Sequence, residues 1–507
     1  MARPLLLTGH NLTRRDFYDV VLRNRRVSLA PRARRAMEHS RALVERLIAE
    51  KQTVYGVTTG VGSLSTERID PEQARQLQLN IVRSHACGVG EPLDAAETRG
   101  LLMLRANTLA GGLSGVRPAV AKLLCAFLND GVHPVVPSRG SVGASGDLAP
   151  LAHVGLALVG EGEVLFRGKR VRADAALKSL GLKPLVLEAK EGLSLVNGTQ
   201  AMLAVGLLAL RAAEMLADTA DVAGALSLDA LRGSPLAFDE RLHRARPHPG
   251  QLRSARNLWR LNRGSTIRLS HLHCPRVQDA YSLRCMPQVH GAVRDALAYV
   301  RGVLETEMNS ATDNPLVFVG GGDVISGGNF HGQPLALALD LMALALTPLG
   351  AISERRIDRM VNPLTSELPA FLARSPGLES GFMVAQVTAA ALASENKIFA
   401  HPASVDSIPT SGNKEDFVSM GMTAALKLRP IISNVTTILA IELLAASQAL
   451  DLLAPLRTGH LAEKGRALVR RVSRPLATDR PLHRDIGRVA ELIAAGELAR
   501  ILTPTGE

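Results

Sequence analysis

The octapeptide Gly140-Ser141-Val142-Gly143-Ala144-Ser145-Gly146-Asp147 holds one triplet that can become an electrophile using backbone atoms alone. Attack of the Gly146 amide nitrogen on the Ala144 carbonyl carbon, with loss of water, closes a five-membered imidazolone. Loss of the Ser145 hydroxyl then leaves an exocyclic methylene. Each residue type has a reason: Ser145 carries a β-hydroxyl to eliminate, Gly146 offers an unhindered nitrogen, and the flanking glycines permit a compressed backbone. An isolated Ala-Ser-Gly is an ordinary polar turn. Here Leu148-Ala149-Pro150-Leu151-Ala152-His153 follows directly, and further motifs surround it in order.

Such a loop has to be held by rigid elements. Gly-rich punctuation at Tyr55–Gly62, Ala86–Gly90, Gly111–Gly115 and Gly140–Gly146 alternates with helical patterns, and loops of this kind can converge on one site. Apolar residues recurring at three and four positions predict helices over Pro71–Arg83 and Ala95–Leu109. Val164-Leu165-Phe166 before a Gly-Lys turn predicts a short β patch within Gly162–Val171. From Asn197 onward the periodic segments lengthen, predicting helices over Gly198–Asp218, Met286–Asn309, Gln333–Asp358, Phe382–Phe399 and Met422–Leu453, with Pro430 as a kink or boundary in the last.

The 507 residues are 46% hydrophobic but only 3% aromatic, with abundant Ala and Leu, which favours a mainly α protein with a substantial core. Cys87, Cys125, Cys274 and Cys285 form no Cys-x-x-Cys pair, so neither a disulfide framework nor a thiolate zinc site is expected, and a cytoplasmic location fits. His271-Leu272-His273-Cys274 completes no zinc pattern, and no metal is assigned. The start, Met1-Ala2-Arg3-Pro4 and three leucines, lacks the apolar length of a secretory signal. Leu335–Ile352, interrupted by Asp340 and Pro348, falls short of about 20 apolar residues and reads as a buried helix, with no membrane association. The net charge of +12, concentrated in runs such as Arg241, Arg244, Arg246, Arg253, Arg256 and Arg260, has only Trp259 as aromatic company and no nucleic-acid motif; a solvated basic face or attraction of an anionic substrate explains it.

Six further motifs bear on chemistry. Tyr55-Gly56-Val57-Thr58-Thr59-Gly60-Val61-Gly62 places one of only four tyrosines in a Gly-rich loop. Leu79–Gly90 contains Ser84-His85, and Glu191–Gln200 contains Asn197-Gly198. Val277-Gln278-Asp279-Ala280-Tyr281-Ser282-Leu283-Arg284 offers a second tyrosine and a planar bidentate donor suited to a carboxylate. Ser326–Pro334 contains Phe330, and Ser404–Met420 contains Glu415.

This ordered set, over roughly residues 50 to 455, resembles the histidine ammonia-lyase family, relatives of phenylalanine and tyrosine ammonia-lyases and aromatic aminomutases. In that family the triplet matures into 4-methylidene-imidazole-5-one (MIO). The resemblance implies an elongated, aspartase/fumarase-like helical bundle with Gly-rich active-site loops. It divides the chain into an N-terminal helical domain, 1–196, carrying the MIO loop, and a central long-helix bundle with a C-terminal helical region, 197–507. It implies a homotetramer with active sites completed by neighbouring subunits.

The implied reaction is loss of ammonia from an α-amino acid, which needs a base for the β-proton, a carboxylate holder and charge stabilisation at the electrophile. Ala144, Ser145 and Gly146 would form the MIO, with no external cofactor. Tyr55 would be the base, Tyr281 would orient substrate or relay a proton, Arg284 and Gln278 would bind substrate, Asn197 would support the MIO carbonyl, and Phe330 would exclude water. Thr58 and Val61 stand where the family commonly has Asn and Phe, and Ala280 replaces a proline of some relatives.

For the substrate, His85 second in its pair and the acidic Glu415 both resemble histidine lyases, since an imidazole offers ring nitrogens to each. Lys414 and Phe417 replace the Gln and His of well-known histidine lyases. The expected activity is non-oxidative deamination of L-histidine to trans-urocanate and ammonia, the first step of histidine degradation. The alternative is a tyrosine ammonia-lyase or tyrosine 2,3-aminomutase.

Overall fold

Gln200 to Ala230 is Ala- and Leu-rich with no proline, and it folds as one 31-residue helix; Gln333–Val361 is a second, of 29 residues, and Leu428–Leu452 a third, of 25. The computed structural model describes residues 3–272 and 277–503, so His273 and Cys274 lie outside the described residues. Among those described the protein is mainly helical, as expected, with strands confined to small sheets of two or three strands.

The predicted helices form with shifted ends. Pro71–Arg83 becomes a 3-10 turn, Pro71–Gln73, leading into Ala74–His85. Ala95–Ala110 starts from a reciprocal cap between Asp94 and Glu97 and is buried on every side from Glu97 onward. Met286–Glu307 and Met383–Phe399 match their predicted spans closely. The last long segment breaks at Lys427, between Gly421–Leu426 and Leu428–Leu452. Pro430 therefore sits in a first helical turn, where its missing N–H breaks no ladder. The β patch is a hairpin, Glu163–Phe166 with Lys169–Arg172, joined to Val132–Pro134.

The chain forms two compact units, each assembled from three segments. The first comprises Met1–Leu208, Arg301–Asp340 and Pro402–Leu426, and the second Ala209–Val300, Leu341–His401 and Lys427–Glu507. The expected division after residue 196 is linear; three of the five boundaries between these units, after Leu208, Val300 and Asp340, fall inside the helices Gln200–Ala230, Met286–Glu307 and Gln333–Val361.

In the first unit, helix Ala95–Ala110 lies against Pro118–Asp130 and Arg14–Arg23, and Ala74–His85 against Leu148–Leu158 and Glu191–Val196. In the second, Leu428–Leu452 packs against Met383–Phe399 and His483–Ala494 and is buried continuously from Ile438 to Leu450. Glu442 within that stretch is ionically paired with Arg356 and accepts from Ser227 at 2.6 Å. By length and composition, Gln200–Ala230, Gln333–Val361 and Gly421–Leu452 are apolar enough to cross a bilayer, and well over half of each apolar window is buried within the protein.

Candidate active site

The 140–147 loop is cinched by its own polar ends. Ser141 Oγ donates to Asp147 Oδ1 at 2.8 Å and accepts from the Gly143 N–H at 3.2 Å. Asp147 Oδ2 accepts from the Ala201 and Met202 N–H groups, both at 2.9 Å, so a fully buried carboxyl ties the loop to the start of helix Gln200–Ala230. Burial pushes this carboxyl up to about 6, against the lowering effect of those donors. The far side is held by Ser419 Oγ on the Gly143 carbonyl at 2.9 Å, Met420 N–H on the Val142 carbonyl at 2.7 Å and Gly332 N–H on the Gly143 carbonyl at 3.1 Å.

At the centre, Gly146 has φ +76° and Gly198 φ +140°. They approach so closely that a Cβ on Gly146 would collide with the Gly198 backbone. The Asp147 N–H donates to the Gly198 carbonyl at 2.7 Å, and the Gly198 N–H donates to the Ser145 carbonyl at 3.4 Å. Only glycine backbones allow this contact. Gly146 is thus held in a left-handed conformation against the Gly198 backbone, with no room for a side chain, and a donor faces the Ser145 carbonyl.

Glu415 lies beside the triplet although 270 positions away: Ser145 Oγ donates to Glu415 Oε1 at 2.7 Å. Its other oxygen accepts from Thr410 Oγ1 at 2.7 Å, and Thr410 and Glu415 also exchange backbone bonds across a tight hairpin. His85, the last residue of Ala74–His85, is half-buried with Nδ1 3.0 Å from Ser84 Oγ. Burial pushes its imidazole down, opposed by the Ile81 carbonyl and by the charge of Glu415, so the neutral ring prevails near pH 7. The two residues singled out for substrate choice therefore feel one another electrostatically. His153 Nε2 accepts from the Gly88 N–H at 3.2 Å, fixing the segment after His85 to the helix that follows the triplet.

Tyr55 is half-buried, and its phenol oxygen accepts from the Gly62 N–H at 3.0 Å. Thr58, in place of the family's Asn, closes the same loop by accepting from the Val54 N–H at 2.8 Å. Gln78 anchors the loop from below, donating to the Gly56 carbonyl and accepting from the Leu193 N–H. Gly62 faces the Glu415 hairpin, since a Cβ on it would sit 3.2 Å from Ser411 Oγ. Phe330 is half-buried two residues before Gly332, which is bonded to the loop; neighbouring His331 stacks on Phe417 and reaches its carbonyl at 3.1 Å.

Asn197 is buried beside Gly198, but its side-chain amide donates to the Asn314 carbonyl at 3.1 Å. The donor at the Ser145 carbonyl is the next backbone N–H, that of Gly198. The Asn197 carbonyl accepts from Arg105 Nη1 at 2.6 Å. Gln278, Tyr281 and Arg284 belong to the second unit, where Gln278 and Arg284 line a cavity of about 450 Å³. The Arg284 guanidinium lies 4.4 Å from the Tyr281 ring centroid, and Tyr281 is 70% exposed. The residues that sequence reasoning passed over are Ser141, Asp147, Gly198, Thr410 and Arg105. Ser141, Asp147, Gly198 and Thr410 all lie within the chemistry-bearing motifs, and a charged residue in a loop of small residues was the available clue for Asp147.

A family model described as aromatic amino acid lyase matches residues 12–472. The chain is 60% identical over 510 residues to the histidine ammonia-lyase of Koribacter versatilis (strain Ellin345), covering 98% of this chain and 99% of that one. It superposes on the crystal structure of histidine ammonia-lyase from Trypanosoma cruzi with a TM-score of 0.92 at 44% identity, covering 99% of this chain and 95% of that one. It also superposes on tyrosine aminomutase from Streptomyces globisporus with a TM-score of 0.93 at 40% identity, covering 98% of each. A helical scaffold of this kind around an Ala-Ser-Gly loop makes the protein a carbon–nitrogen lyase. The chain belongs to the aromatic amino acid lyase family.

Proposed function

We propose that the chain removes ammonia from L-histidine without oxidation, giving trans-urocanate, as the first step of histidine degradation. The observation that carries this reading is the Glu415 carboxylate beside the triplet, 2.7 Å from the Ser145 hydroxyl that maturation would remove, with the half-buried His85 imidazole within its field. An imidazole substrate can donate a ring N–H to the first and exchange a hydrogen bond with the second; a phenyl ring can do neither. The high identity to a histidine ammonia-lyase over the whole chain supports the same choice.

Ala144, Ser145 and Gly146 fit a self-formed MIO, because Gly146 holds the left-handed conformation that its lack of a side chain permits and the Ser145 carbonyl has a donor. Such a group supplies an electron-poor carbon that a substrate amine or ring can engage. Around it, Gly62 N–H fixes the Tyr55 phenol oxygen, the group assigned to take the β-proton. Glu415 orients the substrate ring and His85 meets its other nitrogen. Phe330 excludes water, while Asn197 braces the wall by bonding Asn314. Arg284 takes the substrate carboxylate, with Gln278 and Tyr281 beside it.

Those three residues are assigned to a homotetramer whose sites are completed by neighbouring subunits, in the cytoplasm, with a small amino acid as the only other partner. Support comes from the second unit, where helix Met383–Phe399 buries only Ala389 and Asn396 and exposes Val384, Val387 and Ile398. Leu364 and Leu378, 92% and 90% exposed, add to this apolar surface.

The likeness to a tyrosine aminomutase structure keeps tyrosine deamination or 2,3-migration as the second reading. Purified protein offered histidine, tyrosine and phenylalanine separates them by product absorbance: urocanate from histidine is expected, and coumarate or β-tyrosine from tyrosine alone would replace the first reading with the second. Intact mass should show loss of two waters per chain. Ser145→Ala should abolish both the mass loss and turnover.

A further inference from the structure

Beneath the Asn197–Gly198 peptide lies a buried charge cluster that the proposed reaction does not yet use. Arg105, Lys190 and Asp313 are all essentially without solvent contact. Lys190 Nζ pairs with Asp313 Oδ2 at 3.2 Å and donates to Ser194 Oγ at 2.8 Å. Arg105 has no such carboxylate contact: its Nη1 donates to the Asn197 carbonyl at 2.6 Å and to Gln200 Oε1 at 3.2 Å, while Nε and Nη2 meet no acceptor among the described residues. Asp313 acts on both cations through space but bonds only Lys190, so the guanidinium is the member of the cluster with no direct carboxylate partner and two nitrogens without an acceptor.

Burying a guanidinium without a direct carboxylate partner costs stability unless it does something there. Its short bond ends on one side of a single peptide group. The other side of that group, the Gly198 N–H, points at the Ser145 carbonyl oxygen at 3.4 Å. A cation bonded to a peptide oxygen draws electron density from its nitrogen and strengthens the N–H as a donor, because consecutive hydrogen bonds polarise one another in a low dielectric. The Ser145 carbonyl oxygen is conjugated to Ser145 Cβ once the hydroxyl is gone, so it collects negative charge whenever that carbon accepts an electron pair.

We infer that Arg105 is a positioning residue that acts through the Asn197–Gly198 peptide, making the Gly198 N–H a strengthened donor to the Ser145 carbonyl oxygen. The inference rests on the lyase reading above. It also explains Gly198: a side chain there would meet Arg105 Nη1 at 2.7 Å and the Thr312 carbonyl at 2.9 Å, separating the cation from the peptide it polarises.

The test compares full-length wild type with Arg105→Met, Arg105→Lys and Gln200→Glu. Three quantities are read: intact mass, kcat and KM for histidine, and the rate at which sodium borohydride adds hydride to the matured protein, followed by mass. Arg105→Met should still lose two waters and keep KM within about twofold, while kcat and the trapping rate each fall about tenfold to a hundredfold. Arg105→Lys should recover part of both rates. Gln200→Glu retains the shape and sets a carboxylate against the guanidinium, so it should lower both rates with KM preserved; it decides the matter if Arg105→Met does not fold. Unchanged kcat and trapping rate in a matured Arg105→Met or Gln200→Glu protein overturn the inference. Wild type that loses no water overturns the underlying lyase reading instead, before any variant is compared.

Discussion

Glu415→Gln isolates charge from shape at the position that most directly joins the triplet to substrate choice. The wild-type carboxylate accepts two hydroxyl bonds, from Ser145 and Thr410, each at 2.7 Å. The Ser145 hydroxyl leaves on maturation, so the contact that remains is the one from Thr410, which a glutamine amide oxygen also accepts; the hairpin from Thr410 to Glu415 should persist and the urea midpoint should stay near that of the wild type. What disappears is the negative charge offered to the substrate ring. A hydrogen bond to a charged group contributes about 1.5–3 kcal/mol and a neutral one about 0.5–1.5, a difference near 1.4 kcal/mol or roughly tenfold in kcat/KM. If the substrate imidazole is cationic when bound, the Coulomb attraction at about 4 Å and an effective dielectric near 20 raises the whole loss to about 4 kcal/mol, or roughly a thousandfold. The expected fall in kcat/KM for histidine therefore lies between about tenfold and a thousandfold, with normal loss of two waters. Phenylalanine has no donor on its ring, and any kcat/KM on it should change by less than about threefold. Steady-state assays on both amino acids, with intact mass as the control, give the answer. A matured variant with histidine kcat/KM within twofold of wild type would show that Glu415 does not recognise the substrate ring.

Gly198→Ala places a Cβ against Gln200, Arg105 and Thr312 at a φ of +140°, a backbone conformation costing about 1–3 kcal/mol for other residues before any clash. The variant should fold less stably and fail to lose water, both read on one sample by urea titration and mass; full maturation would refute the role given to the Gly198–Ser145 contact. In the second unit, Glu442→Ala leaves the fully buried Arg356 without its carboxylate and should cost about 3–5 kcal/mol in unfolding free energy, whereas a loss under 1 kcal/mol would mean the pair is dispensable. Asp229, bonded by Ser265, Thr458 and the Gly459 N–H, is pushed by burial up to about 6 from an ordinary value of 3.8. Its folded value exceeds its unfolded one, so the stability it contributes is complete below about pH 3.8 and is lost as pH rises through about 6. The difference in urea midpoint between Asp229→Asn and wild type should accordingly grow in favour of the variant across that window, and a difference independent of pH would count against the assignment.

The parts of the site legible in the sequence are those whose chemistry is local. A cyclising triplet needs its Ser and Gly next to one another, and Tyr55, His85 and Glu415 stand in motifs dense enough to mark them. That Glu415 touches Ser145 across 270 positions follows from the fold, and no periodicity could announce it. The residues passed over act through partners that the sequence does not place: Ser141 and Asp147 tie the loop ends, Gly198 meets Gly146, Thr410 holds Glu415, and Arg105 bonds the Asn197 carbonyl. Arg105 lies in Leu102-Met103-Leu104-Arg105-Ala106, within a helix buried all round, so there is no polar face whose presence would explain an arginine. The same blindness set the helix ends. Periodicity predicts a helix over Gly198–Asp218, but the helix runs from Gln200 to Ala230, past Asp218, Asp221 and Asp229. Asp221 accepts from Arg294 at 2.6 Å and contacts His290 Nδ1 at 2.8 Å, and Asp229 accepts from Ser265 at 2.9 Å, so the helix continues through the interior of the second unit. Whether a carboxylate ends a helix or is buried within it depends on partners dozens of residues away, which hydrophobic periodicity does not encode. In a protein built from helices this long, the polar exceptions inside apolar runs are therefore where a sequence reading errs, and the role proposed for Arg105 would put one of them at the reaction itself.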